Sequence, residues 1–305
     1  MAPDDKTSSK SPCRCDQEFD PAAAHRALSR DLATVIDAMA RLSAGRSSAD
    51  ALTTDDVRSL ETDALSRALR IVGGNETNRF PACCCLGDDA RWFCSGTLIR
   101  PTVVLTAAHC DVGITRVFAG GTDVSRLDGG EVIDVAAVLR HPEYDPRTNR
   151  NDVALLVLAN APSVEPVDIA STAELDAALR CTLVGFGYND TNRPIGFGIK
   201  RELELGITLL QRAQGQDLAQ QAAALGFFPD AEFVAGRKAL GLDSCNGDSG
   251  GPAFIETGDG YKVGGVTSRA TLGGDRPCGD GGIYVRPDFY AGWMRRVLGP
   301  YGIPF

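Results

Sequence analysis

From Ile71 onward the apolar residues come in short runs, and glycine or proline ends nearly every one. Residues 102–105, 132–139, 153–158 and 262–267 are four such runs, rich in Val, Ile, Leu and Thr. They are too short for core helices, and their β-branched content suits a pleated surface. A chain of many short strands buries its apolar faces by closing into barrels or by stacking two sheets. Gly fills 34 of 305 positions, which supplies the turns that such an architecture needs. The expected fold class beyond residue 70 is therefore all-β, with one C-terminal helix over 288–298.

Residues 1–70 have a different texture. Leu28, Leu32, Val35, Ile36 and Met39 recur every three or four positions, the stripe of an amphipathic helix. Thr54 can cap a second helix, with Asp55 and Asp56 in its first turn and Val57, Leu60, Leu65 and Leu69 along its face. The expectation is a mostly helical leader over 1–70, with a polar and disordered stretch over 1–20. Residues 1–20 contain no apolar core of a signal peptide, so a secreted product would have lost its signal or would leave by another route.

Charge and cysteine content narrow the function classes. The net charge is −9 and no run of five basic residues occurs, which argues against a nucleic-acid partner. No apolar stretch reaches the roughly 18 residues of a membrane span. Ten cysteines are many for a reducing compartment and point to an oxidising, extracellular one.

Three segments carry candidate chemistry: Thr106-Ala107-Ala108-His109-Cys110, Asn151-Asp152-Val153-Ala154-Leu155-Leu156, and Asp243-Ser244-Cys245-Asn246-Gly247-Asp248-Ser249-Gly250-Gly251-Pro252. A serine hydroxyl becomes a nucleophile when a neighbouring base takes its proton. A neutral imidazole, whose ordinary pKa lies near working pH, suits that task when a carboxylate holds its other nitrogen. In the order His, Asp, Ser, and with Arg70-Ile71-Val72-Gly73-Gly74 ahead of them, these segments resemble the trypsin-like serine proteases over residues 71–305.

The resemblance implies two six-stranded β-barrels, with the triad His109, Asp152 and Ser249 drawn from different barrels. It implies an oxyanion hole from the amides of Gly247 and Ser249, and a supporting hydrogen bond from Ser268 to the triad Asp. It places Asp243 at the floor of a pocket for Arg or Lys side chains, with Gly282 on its wall and Ala270 at its mouth. It implies a zymogen: cleavage after Arg70, by another protease or by the enzyme itself, frees the Ile71 ammonium to pair with Asp248. It implies disulfides Cys94–Cys110 and Cys245–Cys278, protein or peptide substrates, and no cofactor. Two departures stand out. Ser268-Arg269-Ala270 replaces the Ser-Trp-Gly of trypsins, and residues 188–242 match the family poorly. The calcium loop of many trypsins keeps one anchor, Glu131, while Gly121 stands for the other, so no metal is expected.

Six further cysteines, Cys13, Cys15, Cys83, Cys84, Cys85 and Cys181, allow 15 pairings that sequence cannot resolve. A bridge tethering the leader, a thiolate metal site and plain buried thiols all stay open. Within 188–242, residues 211–225 read as a helix, and a strand begins near Phe197. The alternative functions are a catalytically silent binding module, for which Arg269 and Ala270 speak, and a leader that acts as a partner-binding or inhibitory domain. An esterase would share the triad, but the Arg70–Ile71 junction and Asp243 argue against it.

Overall fold

Alternation and length decide where the strands form. A computed structural model describes residues 74–190, 195–209 and 218–305. All of them lie in the second of two units into which the chain divides, Met1–Glu61 and Thr62–Phe305. The expected leader helices, Cys13, Cys15, Arg70 and Ile71 fall outside the described residues.

The first barrel closes in the order β2 (Cys83–Gly87), β3 (Trp92–Arg100), β4 (Val103–Thr106), β7 (Ala154–Leu158), β6 (Glu131–Arg140) and β5 (Arg116–Ala119). Strand β7, Ala-Leu-Leu-Val-Leu, is buried along its whole length, as an unbroken apolar run requires. In β6 burial alternates from Ile133 onward, so one face meets the core and the other meets solvent. Leu86, Leu98, Leu105, Phe118 and Leu155 fill the interior and are wholly buried.

The second barrel runs β8 (Arg180–Gly185), β9 (Arg201–Leu209), β10 (Glu232–Ala235), β13 (Gly282–Val285), β12 (Gly260–Ala270) and β11 (Pro252–Thr257), and β8 pairs with both β9 and β11 to close it. The short β1 (Asn75–Glu76) adds to the outer edge of β9. The strand pairings in both barrels are antiparallel, and the β4–β5 and β10–β11 connections join strands that are not neighbours.

Among the described residues, three α-helices accompany the barrels. Helix α1 (Thr172–Ala177) is a feature that the strand-and-turn reading did not anticipate. Ser171 and Glu174 close a capping box at its start, and Leu175 anchors it to the second barrel. Helix α2 (Leu218–Leu225) is the described part of the helix expected over 211–225. The C-terminal helix α3 (Ala291–Leu298) follows a 3-10 turn, Pro287–Tyr290, so the helical stretch expected from 288 begins as a tighter coil. It buries Trp293, Met294 and Leu298, and Arg295 and Arg296 complement the dipole of its last turn. His141 packs edge-on to Tyr290 and beside Trp293, an ordinary structural role.

Of the cysteines, Cys94 bonds Cys110 and Cys245 bonds Cys278. Cys83, Cys84, Cys85 and Cys181 are free and buried. Burial pushes all four thiols up, that of Cys84 to about 12, so they stay protonated and behave as small apolar groups. Among the described residues no cluster of His, Cys, Asp and Glu has the arrangement of a metal site.

Candidate active site

Strand pairing brings His109 and Asp152 together. Strands β4 and β7 are neighbours, with Thr106 opposite Ala154. His109 lies in a 3-10 turn, Ala108–Cys110, just past the end of β4, and Asp152 lies just before the start of β7. The Cys94–Cys110 bond ties that turn back to β3. Asp152 is wholly buried. Its Oδ2 lies 2.8 Å from His109 Nδ1, and its Oδ1 accepts the His109 amide at 2.9 Å. A carboxylate only accepts, so Nδ1 carries the proton and Nε2 keeps a free lone pair. Asn151, held at φ 57°, turns the chain so that the Val153 amide reaches back across Asp152 to the Asn151 carbonyl at 2.8 Å. Tyr290 donates to the Asn151 side chain at 3.0 Å. The Ser268 hydroxyl donates to Asp152 Oδ2 at 2.6 Å.

Ser249 reaches this place on a turn that presses against the first barrel. Gly250 has φ +78°, and a Cβ there would overlap Thr106 Oγ1 at the end of β4. Ser95 of β3, wholly buried, fastens the turn from the other side. Its amide donates to the Ser249 carbonyl at 2.8 Å and its hydroxyl donates to the Gly247 carbonyl at 2.9 Å. The amides of Asp248, Gly250 and Gly251 are taken by the carbonyls of Cys245, Thr267 and Asp248. Among the described residues, the amides of Gly247 and Ser249 have no protein acceptor. Two free N–H groups on a rigid turn suit a developing oxyanion.

Asp248 points inward beneath the same turn and is 3% exposed. Its carboxylate accepts the amides of Gly187 and Cys245, each at 2.8 Å. A side chain at Gly187 would meet that carboxylate, its Cβ only 2.6 Å from Asp248 Cγ. Burial pushes the Asp248 carboxyl up to about 6, although the two amides and the nearby Arg201 guanidinium pull the other way.

A cavity of about 100 Å³ opens beside Ser249, with Asp243, Ser244, Cys245, Ala270, Pro277 and Gly282 in its lining. Asp243 is buried in this lining, and Oδ1 accepts the Ser244 amide at 2.8 Å and the Tyr284 hydroxyl at 3.2 Å. Burial pushes its carboxyl up to about 6 against those hydrogen bonds. A Cβ on Gly282 would stand 2.7 Å from Tyr284 Oη and 2.9 Å from Asp243 Oδ1, so only glycine keeps the floor open. Ala270 is an exposed residue of the lining. A roomier cavity of about 260 Å³, lined in part by Leu225, Val234, Lys238, Leu272 and Asp280, adjoins α2.

Arg269 also contributes to the lining of the cavity beside Ser249. A bulge in β12 between Thr267 and Arg269 re-aims Ser268 and its neighbour. The Arg269 guanidinium then meets both oxygens of Glu232 at 2.8 Å and donates to the Gly226 carbonyl at 2.7 Å. Sequence reasoning missed both Glu232 and Ser95. Ser95 stands beside Cys94 and offered a small polar side chain as its only signal. Glu232 lies 37 positions from Arg269 and offered no local signal. At the positions of the trypsin calcium loop, Glu131 accepts the Ser163 amide at 2.8 Å and Gly121 packs against the Phe118 ring.

The family model named Trypsin matches residues 71–294. Human Serine protease 56 is 32% identical over 249 residues, which cover 75% of this chain and 39% of that protein. Human Kallikrein-15 is 30% identical over 224 residues, 70% of this chain and 84% of that protein. Trypsin from Saccharopolyspora erythraea is 33% identical over 230 residues, 72% of this chain and 94% of that protein. The chain thus spans well under half of the first relative and most of the other two. With two closed antiparallel barrels and a match that begins at Ile71, the chain belongs to the trypsin family of serine proteases.

Proposed function

We propose that residues 71–305 are a trypsin-like endopeptidase that hydrolyses peptide bonds after Arg or Lys, made as a zymogen and activated by cleavage after Arg70. The observation that carries this reading is the hydrogen-bonded His109–Asp152 pair facing a Ser249 turn with two unclaimed amides, beside a pocket with a buried carboxylate. Ser249 Oγ attacks the scissile carbonyl carbon while its proton passes to His109 Nε2. The carbonyl oxygen becomes an oxyanion held by the Gly247 and Ser249 amides. The imidazolium returns the proton to the leaving amine, the C–N bond breaks, and an acyl-enzyme remains. Water, activated by the same base, then releases the acid. Asp152 orients the imidazole and stabilises its charged form, and Ser268 steadies Asp152.

Asp243 selects the cation and Gly282 leaves room for it. Asp248 is built to take the ammonium of Ile71: a buried carboxylate whose present partners are neutral amides gains from a cation. Arg70 fits the proposed pocket, so the enzyme is a candidate activator of itself, alongside an outside protease. Two disulfides accord with an extracellular location. Profiling the cleaved protein on a peptide mixture tests the specificity. Hydrolysis after Arg and Lys is expected, and a preference for large apolar residues would reject the role of Asp243.

A further inference from the structure

Arg269 and Glu232 form a buried pair that the triad reaches through one hydroxyl. Glu232 is 1% exposed and the Arg269 side chain 15%. Glu232 Oε1 accepts Arg269 Nη1, and Oε2 accepts both Arg269 Nη2 and the Phe228 amide, each at 2.8 Å. Arg269 Nη1 also lies 3.2 Å from Ser268 Oγ, and that hydroxyl lies 2.6 Å from Asp152 Oδ2. The guanidinium carbon stands 5.6 Å from the centre of the Phe228 ring. Arg150 approaches the same ring at 4.7 Å and pairs with Asp230 at 3.0 Å. Arg150 and Asp230 thus join Asp152 and Glu232 as the charged groups around Tyr290 at this wall.

The chemistry of these groups fixes a direction. A guanidinium only donates, so Ser268 Oγ must use a lone pair toward Arg269. The hydroxyl has a single proton, and that proton is left for Asp152. A bare cation at this point would also compete with the imidazolium for the Asp152 charge. Glu232 cancels it at two contacts of 2.8 Å. The tryptophan that trypsins carry at position 269 supplies no such charge.

We propose that Arg269 and Glu232 are positioning residues for the triad: Arg269 directs the Ser268 proton onto Asp152, and Glu232 keeps the Arg269 charge from drawing on Asp152. The mechanistic part rests on the peptidase reading above, but the geometric part does not. The test therefore has two readouts on the full chain cleaved after Arg70. One is the NMR resonance of the His109 Nδ1 proton shared with Asp152, which needs no turnover. The other is the separate measurement of kcat and KM on an Arg-containing chromogenic peptide.

Glu232→Gln leaves the cation uncompensated and is expected to move the His109 proton resonance upfield and lower kcat about tenfold, with KM within about twofold. Arg269→Met removes the director and is expected to move the same resonance. Arg269→Lys, which keeps a donor and a charge, restores part of it. Arg269→Met/Glu232→Met removes the pair as a unit and loses less than the sum of the two single changes. Melting curves identify folded variants, and the double variant serves if Glu232→Gln fails to fold. Folded variants with an unmoved resonance and unchanged kcat would overturn the proposal, as would strictly additive losses. A resonance that moves in a protein without turnover would reject the peptidase reading and leave the positioning role standing.

Discussion

The two barrels contribute to the cleft in different ways. The first offers His109 and Asp152 at the ends of paired strands, above an interior of fully buried apolar residues and neutral thiols. The second offers the Ser249 turn and the pocket, and buries two carboxylates, Asp243 and Asp248, each pushed up to about 6. A carboxyl raised by burial favours folding while it is protonated. That contribution is full below its unfolded pKa and is lost as pH rises through the folded value near 6. The second barrel thus holds the electrostatic tension that a cationic side chain or a freed ammonium would relieve. Binding sites and strained sites tend to coincide for this reason.

Changing the pocket floor gives the largest expected contrast between the halves. Asp243→Asn should lower kcat/KM for Arg substrates by roughly a hundredfold, the size typical of a lost buried charge partner. The same change should raise stability at pH 8 by about 1 kcal/mol or more, because the tension at the floor disappears. Thermal melting and steady-state kinetics on one sample check both signs. A variant that loses activity and stability together would mean that the second barrel is not strained at Asp243.

Acidification sharpens the same point with a smaller effect. As pH falls through about 6, Asp243 takes up a proton and the pocket loses its attraction for a cation. KM for an Arg peptide should rise about tenfold from pH 7 to pH 5, while KM for a neutral analogue stays flat. Parallel rises in the two would place the titrating group elsewhere.

The smallest effect belongs to the first barrel. Cys83, Cys84 and Cys85 are buried, neutral and unbonded, so thiol reagents should label them only after unfolding. Cys84→Ala should cost about 1 kcal/mol of stability and leave kinetics unchanged. Rapid labelling of the native protein would show that this interior opens.

Much of this was legible in the sequence where signals are local. Short β-rich runs marked the strands, and β4, β6, β7 and β12 lie within a few residues of the runs at 102–105, 132–139, 153–158 and 262–267. His109, Asp152, Ser249 and Asp243 could be named because the segments that hold them resemble those of the trypsin-like serine proteases. Long-range partners were not legible. Glu232 and Arg269 meet only because β10 and β12 flank β13. Helix α1 escaped because six residues give too little periodicity, although Ser171 and Glu174 at capping-box spacing were its available sign. The strand expected near Phe197 begins at Arg201, after a loop with glycines at positive φ, Gly196 and Gly198. Cysteine pairing was open by arithmetic. Four of the six unassigned cysteines are free, and Cys13 and Cys15 lie outside the described residues.

The most direct measurement compares the intact chain with the chain cleaved after Arg70, each with and without Ser249→Ala, on Arg- and Lys-containing chromogenic peptides. Hydrolysis that appears with cleavage and disappears in the variant is expected. Equal activity before and after confirmed cleavage would contradict the zymogen reading. Silence in both forms would contradict the peptidase itself.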